Sequence, residues 1–177
     1  MYSNHSHDKR FQKTLDFLNR YIDPKSSILD LGVANPLSEL MQDQGHEIEN
    51  TLGQDLDEDQ SQLINSKAKV ATAFEILEHL LSPYQVLKSI KAEQLIVSVP
   101  LKLWFASAYQ SKTDRRDRHY HEFEDWQLDW LLEKTGWKIM ATEKWVNPPQ
   151  SFGFRSILRY FVPRYYIVYA EKKMHKA

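Results

Sequence analysis

Three short apolar runs, each closed by a turn and followed by a helical pattern, constrain this chain more than any other feature. Ser27-Ile28-Leu29-Asp30-Leu31-Gly32 runs into a tight turn, Lys69-Val70-Ala71-Thr72-Ala73-Phe74 ends at Glu75, and Leu95-Ile96-Val97-Ser98-Val99-Pro100 closes on a proline. Runs this short and this apolar read as strands buried on both faces, the pattern of a parallel sheet. Leu37 to Gln44 reads as a helix ended by Gly45, and Tyr84, Val86, Leu87 and Ile90 form an apolar helix face. Phe11, Leu15, Leu18 and Ile22 predict an amphipathic helix over residues 8–22, within an N-terminal segment 1–25 that Asp23-Pro24 stops. The polar stretch Met1 to Arg10 is expected to fray. Glu47 to Thr51 predicts another strand. Trp126, Leu128, Leu131 and Leu132 predict a helix ended by Gly136, and Trp137 to Val146 and Tyr165 to Ala170 the last two strands. Strands alternating with helices predict an α/β fold with a mostly parallel sheet covered on both faces.

At 177 residues the chain is most simply one domain, 1–177. Its net charge of −1 gives no global reason to seek nucleic acid or an anionic membrane as partner. The absence of cysteine excludes disulfides, thiolate metal ligands and thiol nucleophiles, and fits a cytoplasmic protein. No apolar run approaches the roughly 20 residues that cross a bilayer, so no transmembrane segment is expected. Nothing in the composition bears on oligomeric state.

The chemistry concentrates at strand ends. Phe74-Glu75-Ile76-Leu77-Glu78-His79 puts two carboxylates and an imidazole just past the carboxyl end of a strand, the edge where open α/β sheets bind ligands. Asp30-Leu31-Gly32-Val33-Ala34-Asn35-Pro36 lies between a strand and a helix, where a glycine lets backbone approach a ligand and the helix start adds positive potential. In order, the chain reads as this turn, an acidic loop, Phe-Glu-Ile-Leu-Glu-His, a strand ending Ser-Val-Pro, a His-Glu-Phe segment, a helix ending Gly-Trp, and a closing strand pair. That order, from about Ser26 to Lys172, resembles the class I S-adenosylmethionine (SAM) methyltransferases. The resemblance implies a Rossmann-like sheet with an antiparallel C-terminal strand pair. It implies SAM as cofactor, bound by Asp30, Gly32, Ala34, Asp55, Phe74 and Glu75.

Two departures stand out. The family's second turn glycine is replaced by Ala34, and its third position by Pro36. The interval between the turn and Glu78 is shorter than the family's, which implies fewer elements than in the seven-stranded fold and a more open adenosine end. One acidic patch, Gln54-Asp55-Leu56-Asp57-Glu58-Asp59, stands where the family has two separate acids.

Methyl transfer needs alignment of a nucleophile with the sulfonium methyl and, for a hydroxyl acceptor, removal of a proton. Candidate proton acceptors are His79, His119 and His121, because imidazole titrates near neutral pH. A helix after Phe74 would bring Glu75 within one turn of Glu78 and His79. With His121 these residues resemble the metal site of the Hen-type small-RNA 2′-O-methyltransferases. The expectation nevertheless is metal-free catalysis on a hydroxyl or other heteroatom of a small molecule. A metal-assisted RNA 2′-O-methyltransferase, and a methyltransferase-fold binding module with weak or no SAM activity, are the alternatives. Segments 101–122 and 147–163 are the expected substrate caps. In the carboxyl third, Phe152, Phe154, Tyr160, Phe161, Tyr165 and Tyr166 interleave with Arg155, Arg159 and Arg164, which suits stacking on bases or contact with lipid headgroups.

Overall fold

The computed structural model describes residues 4–114, 117–147 and 154–173. The N-terminal helix α1 (Asn4–Tyr21) leads into β1 (Ser27–Asp30), α2 (Pro36–Asp43) and β2 (Glu47–Asn50). A short helix α3 (Ser61–Asn65) precedes β3 (Val70–Phe74), and α4 (Pro83–Ser89) precedes β4 (Gln94–Pro100). The chain continues through α5 (Asp125–Lys134), β5 (Trp137–Trp145), α6 (Phe154–Phe161) and β6 (Tyr165–Lys172).

These strands form a six-stranded sheet in the order β2-β1-β3-β4-β6-β5. The first four run parallel, with Ile28 opposite Val70 and Val70 opposite Gln94. The last two are antiparallel to their neighbours, with Ser98 opposite Ile167. This is the expected mostly parallel sheet with an antiparallel closing pair, one strand short of seven.

Side-chain alternation along each strand divides the core in two. Ile28, Val70, Ile96 and Ile167 pack with Leu15, Phe17 and Leu18 of α1 and Leu37 and Met41 of α2. Leu29, Ala71, Leu95 and Val97 face the other way, onto Leu63 of α3, Val86 and Leu87 of α4, and Leu128 and Leu132 of α5. Burying a side chain of this size contributes about 1.5–3 kcal/mol, so the two layers hold the strand ends firmly in place. Trp137 is fully buried, its indole N–H donating to the Leu87 carbonyl at 3.3 Å.

Three local expectations differ from what is observed. The N-terminus does not fray up to Arg10: α1 starts at Asn4, and Arg10 is held by Glu75 and by aromatic rings. No α-helix starts directly after Phe74. Glu75 adopts a left-handed backbone with φ 56°, and only one 3₁₀ turn, Leu77–His79, comes after it. α3, absent from the sequence reading, is five residues long, too short to show a helical period.

Candidate functional site

The degenerate turn after β1 is a well-made helix entry. Asn35 is the N-cap of α2: its side-chain oxygen accepts from the Leu37 and Ser38 amides at 2.9 and 3.2 Å, and Ser38 Oγ accepts from the Asn35 amide at 2.9 Å. Pro36 takes the first helical position, where its missing N–H is no loss. So the residue that breaks the glycine pattern starts the helix. Gly32 sits at φ 138°, a conformation that side-chain-bearing residues rarely adopt. Its amide donates to Thr51 Oγ1 at 2.8 Å and its carbonyl accepts from Asn50 Nδ2 at 3.3 Å, which fixes the turn to the end of β2.

A cavity of about 730 Å³ opens at the carboxyl ends of β1, β3 and β4, within the size range of small-ligand sites. It is lined by Asp30, Gly32 and Ser98, by Phe74, Glu75 and Ile76, and by Arg10 and Phe11 of α1. Two carboxylates therefore face one partly aromatic space. Asp30 is 3% exposed, and burial pushes its pKa up to about 6 against the hydrogen bonds from Thr72 Oγ1 (2.6 Å) and Asn50 Nδ2 (3.0 Å). Burial also raises Glu75, while Arg10, Ser98 and Arg164 pull it back down. Ser98 Oγ donates to Glu75 Oε1 at 2.8 Å, the Glu75 amide donates to the Ser98 carbonyl at 3.0 Å, and Arg10 Nη1 lies 3.7 Å from Glu75 Oε2. These contacts hold Glu75 in a backbone state that costs a non-glycine residue about 1–3 kcal/mol. Strain of that kind is concentrated at functional sites.

The chain next builds a second cluster. Glu78 is 1% exposed, and burial, then the nearby Glu75 charge, pushes its carboxyl well above the usual range. Its carbonyl accepts from the Tyr120 and His121 amides at 2.8 and 3.3 Å, which ties those two residues to the 3₁₀ turn. His79 Nδ1 is 2.9 Å from the Arg118 carbonyl and His119 Nδ1 is 2.8 Å from Glu122 Oε1. The two imidazoles meet edge to face, ring centres 5.0 Å apart. Burial lowers the His119 pKa despite its Glu122 partner. His121 points elsewhere: it is tilted against Phe123, with Nε2 3.4 Å from the Leu81 carbonyl.

The sequence-predicted residues thus fall into groups. Asp30, Gly32, Phe74 and Glu75 line the cavity together. Ala34 is exposed and is not part of the lining. Asp55 is exposed; its carboxylate accepts from the Asp57 amide at 3.0 Å and does not reach the cavity. Asp57 has a structural role, accepting from the Leu81 and Ser82 amides at 2.8 Å each and so tying the acidic loop to the start of α4. Of the set Glu75, Glu78, His79 and His121, only Glu78 and His79 come together, and His119 completes their group. The residue that follows the second expected cap segment meets the start of the first: the Leu101 amide donates to the Arg164 carbonyl at 2.8 Å, and Arg164 Nη1 donates to the Leu101 carbonyl at 3.1 Å. Phe152 lies outside the described residues, while Ile157, Tyr160 and Phe161 of α6 are exposed.

Sequence reasoning missed Arg10, Phe11 and Thr14, which reach the cavity from a distant helix, and also Asn35 and Ser98. Ser98 carried a signal, as the lone polar residue within the apolar run Leu95–Val99, and Asn35 another, as a cap residue before Pro36.

No protein-family model matches the chain, and no curated protein matches it in sequence. Solved structures do. The 1,6-didemethyltoxoflavin-N1-methyltransferase of Burkholderia thailandensis, solved with 1,6-didemethyltoxoflavin and S-adenosylhomocysteine bound, superimposes with a TM-score of 0.66 at 14% identity, covering 96% of this chain and 84% of that one. A SAM-dependent methyltransferase from Archaeoglobus fulgidus gives 0.64 at 15% identity, covering 93% and 94%. A Haloferax volcanii methyltransferase, solved in complex with the activator Trm112, gives 0.65 at 11% identity, covering 96% of each. Likeness at such low identity shows the fold, and the chain has the fold of the class I SAM-dependent methyltransferases. Among the described residues no helix is long and apolar enough to cross a membrane.

Proposed function

We propose that this chain transfers a methyl group from SAM to a hydroxyl or other heteroatom of a small molecule. The observation that carries this reading is the cavity in which Asp30 and Glu75 face a partly aromatic space beside the Gly32 turn. A cation suits that donor set: carboxylates attract it, and the faces of Phe11 and Phe74 favour a sulfonium as they do other cations. The sheet-edge position and the cavity's size fit a nucleoside-sized ligand.

In this reading Asp30, Gly32, Phe74 and Glu75 hold the cofactor, while Ala34 and Asp55 lie outside the cavity lining. The cofactor, once bound, supplies an electrophilic methyl group. Segment 101–122 covers the acceptor side, and His79, His119 and His121 orient the acceptor and take up its proton. The Glu122–His119 hydrogen bond holds one imidazole in a fixed orientation, as a base is held by an acidic partner. The cysteine-free composition suits action in a reducing compartment such as the cytoplasm.

Calorimetric titration with SAM tests the reading, and pH sharpens it. In the unliganded protein Asp30 has a pKa of about 6. A bound cation favours the ionised form, so at lower pH binding must expel a proton. SAM affinity should therefore rise with pH by up to about tenfold per unit below 6 and level off above it. No SAM binding at any pH would favour a module that keeps the fold without the cofactor. Binding that is flat or falls across pH 5–7 would remove Asp30 from the cofactor's surroundings.

A further inference from the structure

We infer that Glu78, His79 and His119 form a binding site for one divalent transition-metal ion. One ligand atom from each of the three residues lies within 4.8 Å of the other two. Glu78 is 1% exposed, and its Oε2 has no hydrogen-bond partner. A carboxylate oxygen buried in that state lacks a compensating interaction, and a cation would supply it. Both imidazoles are already oriented. With Nδ1 of His79 on the Arg118 carbonyl and Nδ1 of His119 on Glu122, each ring leaves Nε2 for a ligand. Metal-binding histidines are held in this way, by a carbonyl or carboxylate on the opposite nitrogen.

Two imidazoles and one carboxylate are a mixed nitrogen and oxygen set, suited to Zn²⁺, Co²⁺, Mn²⁺ or Fe²⁺. Ligand atoms around a tetrahedral ion lie about 3.3 Å apart. His79 Nε2 and Glu78 Oε1 are at 3.8 Å, and all three ligand atoms lie within 4.8 Å of one another, so an ion would draw the cluster inward. Three protein ligands leave a coordination position free, where an oxygen or nitrogen of an acceptor would bind.

This departs from metal-free catalysis, and the set differs from the one the sequence resemblance implied. Glu75 is engaged by Ser98 and Arg10 in the cavity, and His121 leans on Phe123. Chain spacing alone favoured neither His119 nor His121. The reversal of the chain that pairs Gln110 with Arg118 and puts Nδ1 of His119 on Glu122 selects His119. The role in catalysis rests on the methyltransferase reading; the metal site itself does not.

The test is titration of the full chain, first stripped by chelator, with Co²⁺ followed by visible absorption and with Zn²⁺ followed by calorimetry. One ion per chain is expected, with His79→Ala and His119→Ala losing it and His121→Ala keeping it. Glu122→Gln, which leaves all three ligands in place, should weaken binding by about 10–100-fold. Circular dichroism of each variant checks folding, and the Glu122→Gln result stands even if an alanine variant unfolds. Absence of stoichiometric binding, or binding that persists unchanged in His119→Ala and Glu122→Gln, overturns the site. SAM titrated into the stripped protein is the separate arm: if it binds while Co²⁺ does not, only the metal fails, and the converse removes only the cofactor.

Discussion

Gly32→Asp should bind SAM about a hundredfold more weakly than the natural chain, or not measurably, while its circular dichroism spectrum stays unchanged. The effect has two sources. At φ 138° any side-chain-bearing residue is strained, and that strain of about 1–3 kcal/mol is relieved by moving the turn away from its place against Thr51 and Asn50. The new side chain also starts within the cavity lining: its Cβ would meet Ile76 Cδ1, another lining residue, at 3.6 Å, an ordinary contact, so the substitution adds a charged group there without a clash. Two tenfold steps correspond to about 2.8 kcal/mol, within reach of strain and obstruction together. Calorimetry that finds equal affinities would take the turn out of the binding site.

His119→Ala should lower turnover by about 10²–10⁴-fold, the range for loss of a positioned acid–base group, whether its imidazole takes the acceptor's proton or holds the metal ion that activates the acceptor instead, with SAM affinity unchanged. The acceptor for this assay comes from a screen of small hydroxyl- and amine-bearing compounds with methyl-labelled SAM. His119 is packed edge-on against His79, bonded to Glu122, and adjacent to buried Glu78, yet it does not line the cavity occupied by Asp30 and Glu75. Its loss should therefore act on the chemical step and spare cofactor binding. Equal losses in SAM affinity and turnover would mean that His119 only supports the cavity wall.

The strands were legible because their evidence is local. Leu95 to Val99 and Val70 to Phe74 carry enough apolar residues, between clear breakers, to specify buried strands without help from the rest of the chain. The closing pair and the helix ends at Gly45 and Gly136 were legible for the same reason. The site was only half legible. Asp30, Gly32 and Glu75 sit at strand ends, where position along the chain nearly fixes position in space. Arg10 and Phe11 come from a helix that the fold lays over those ends, and no nearby residue announces it. The turn misled in another way: Ala34 and Pro36 look like losses against a glycine pattern, whereas Asn35, Pro36 and Ser38 together spell a helix cap. His119 and His121 are two residues apart, so spacing alone could not say which would meet His79. Contacts with Glu122 and Arg118 decide it, through a loop whose path depends on the whole fold.

Glu75 is the wrong residue for its own backbone. A left-handed φ is met without cost by glycine and at reduced cost by asparagine, so Glu75→Gly should make the protein more stable by about 1 kcal/mol. The same change removes the acid that meets Arg10 and Ser98 in the cavity. Stability and ligand recognition therefore pull this one position in opposite directions. A randomised library at position 75 screened for thermal resistance alone should converge on Gly or Asn, while one screened for SAM capture should keep Glu. If the thermal screen also keeps Glu, the acid is there for the fold; if the capture screen also gives Gly, it is not there for the ligand.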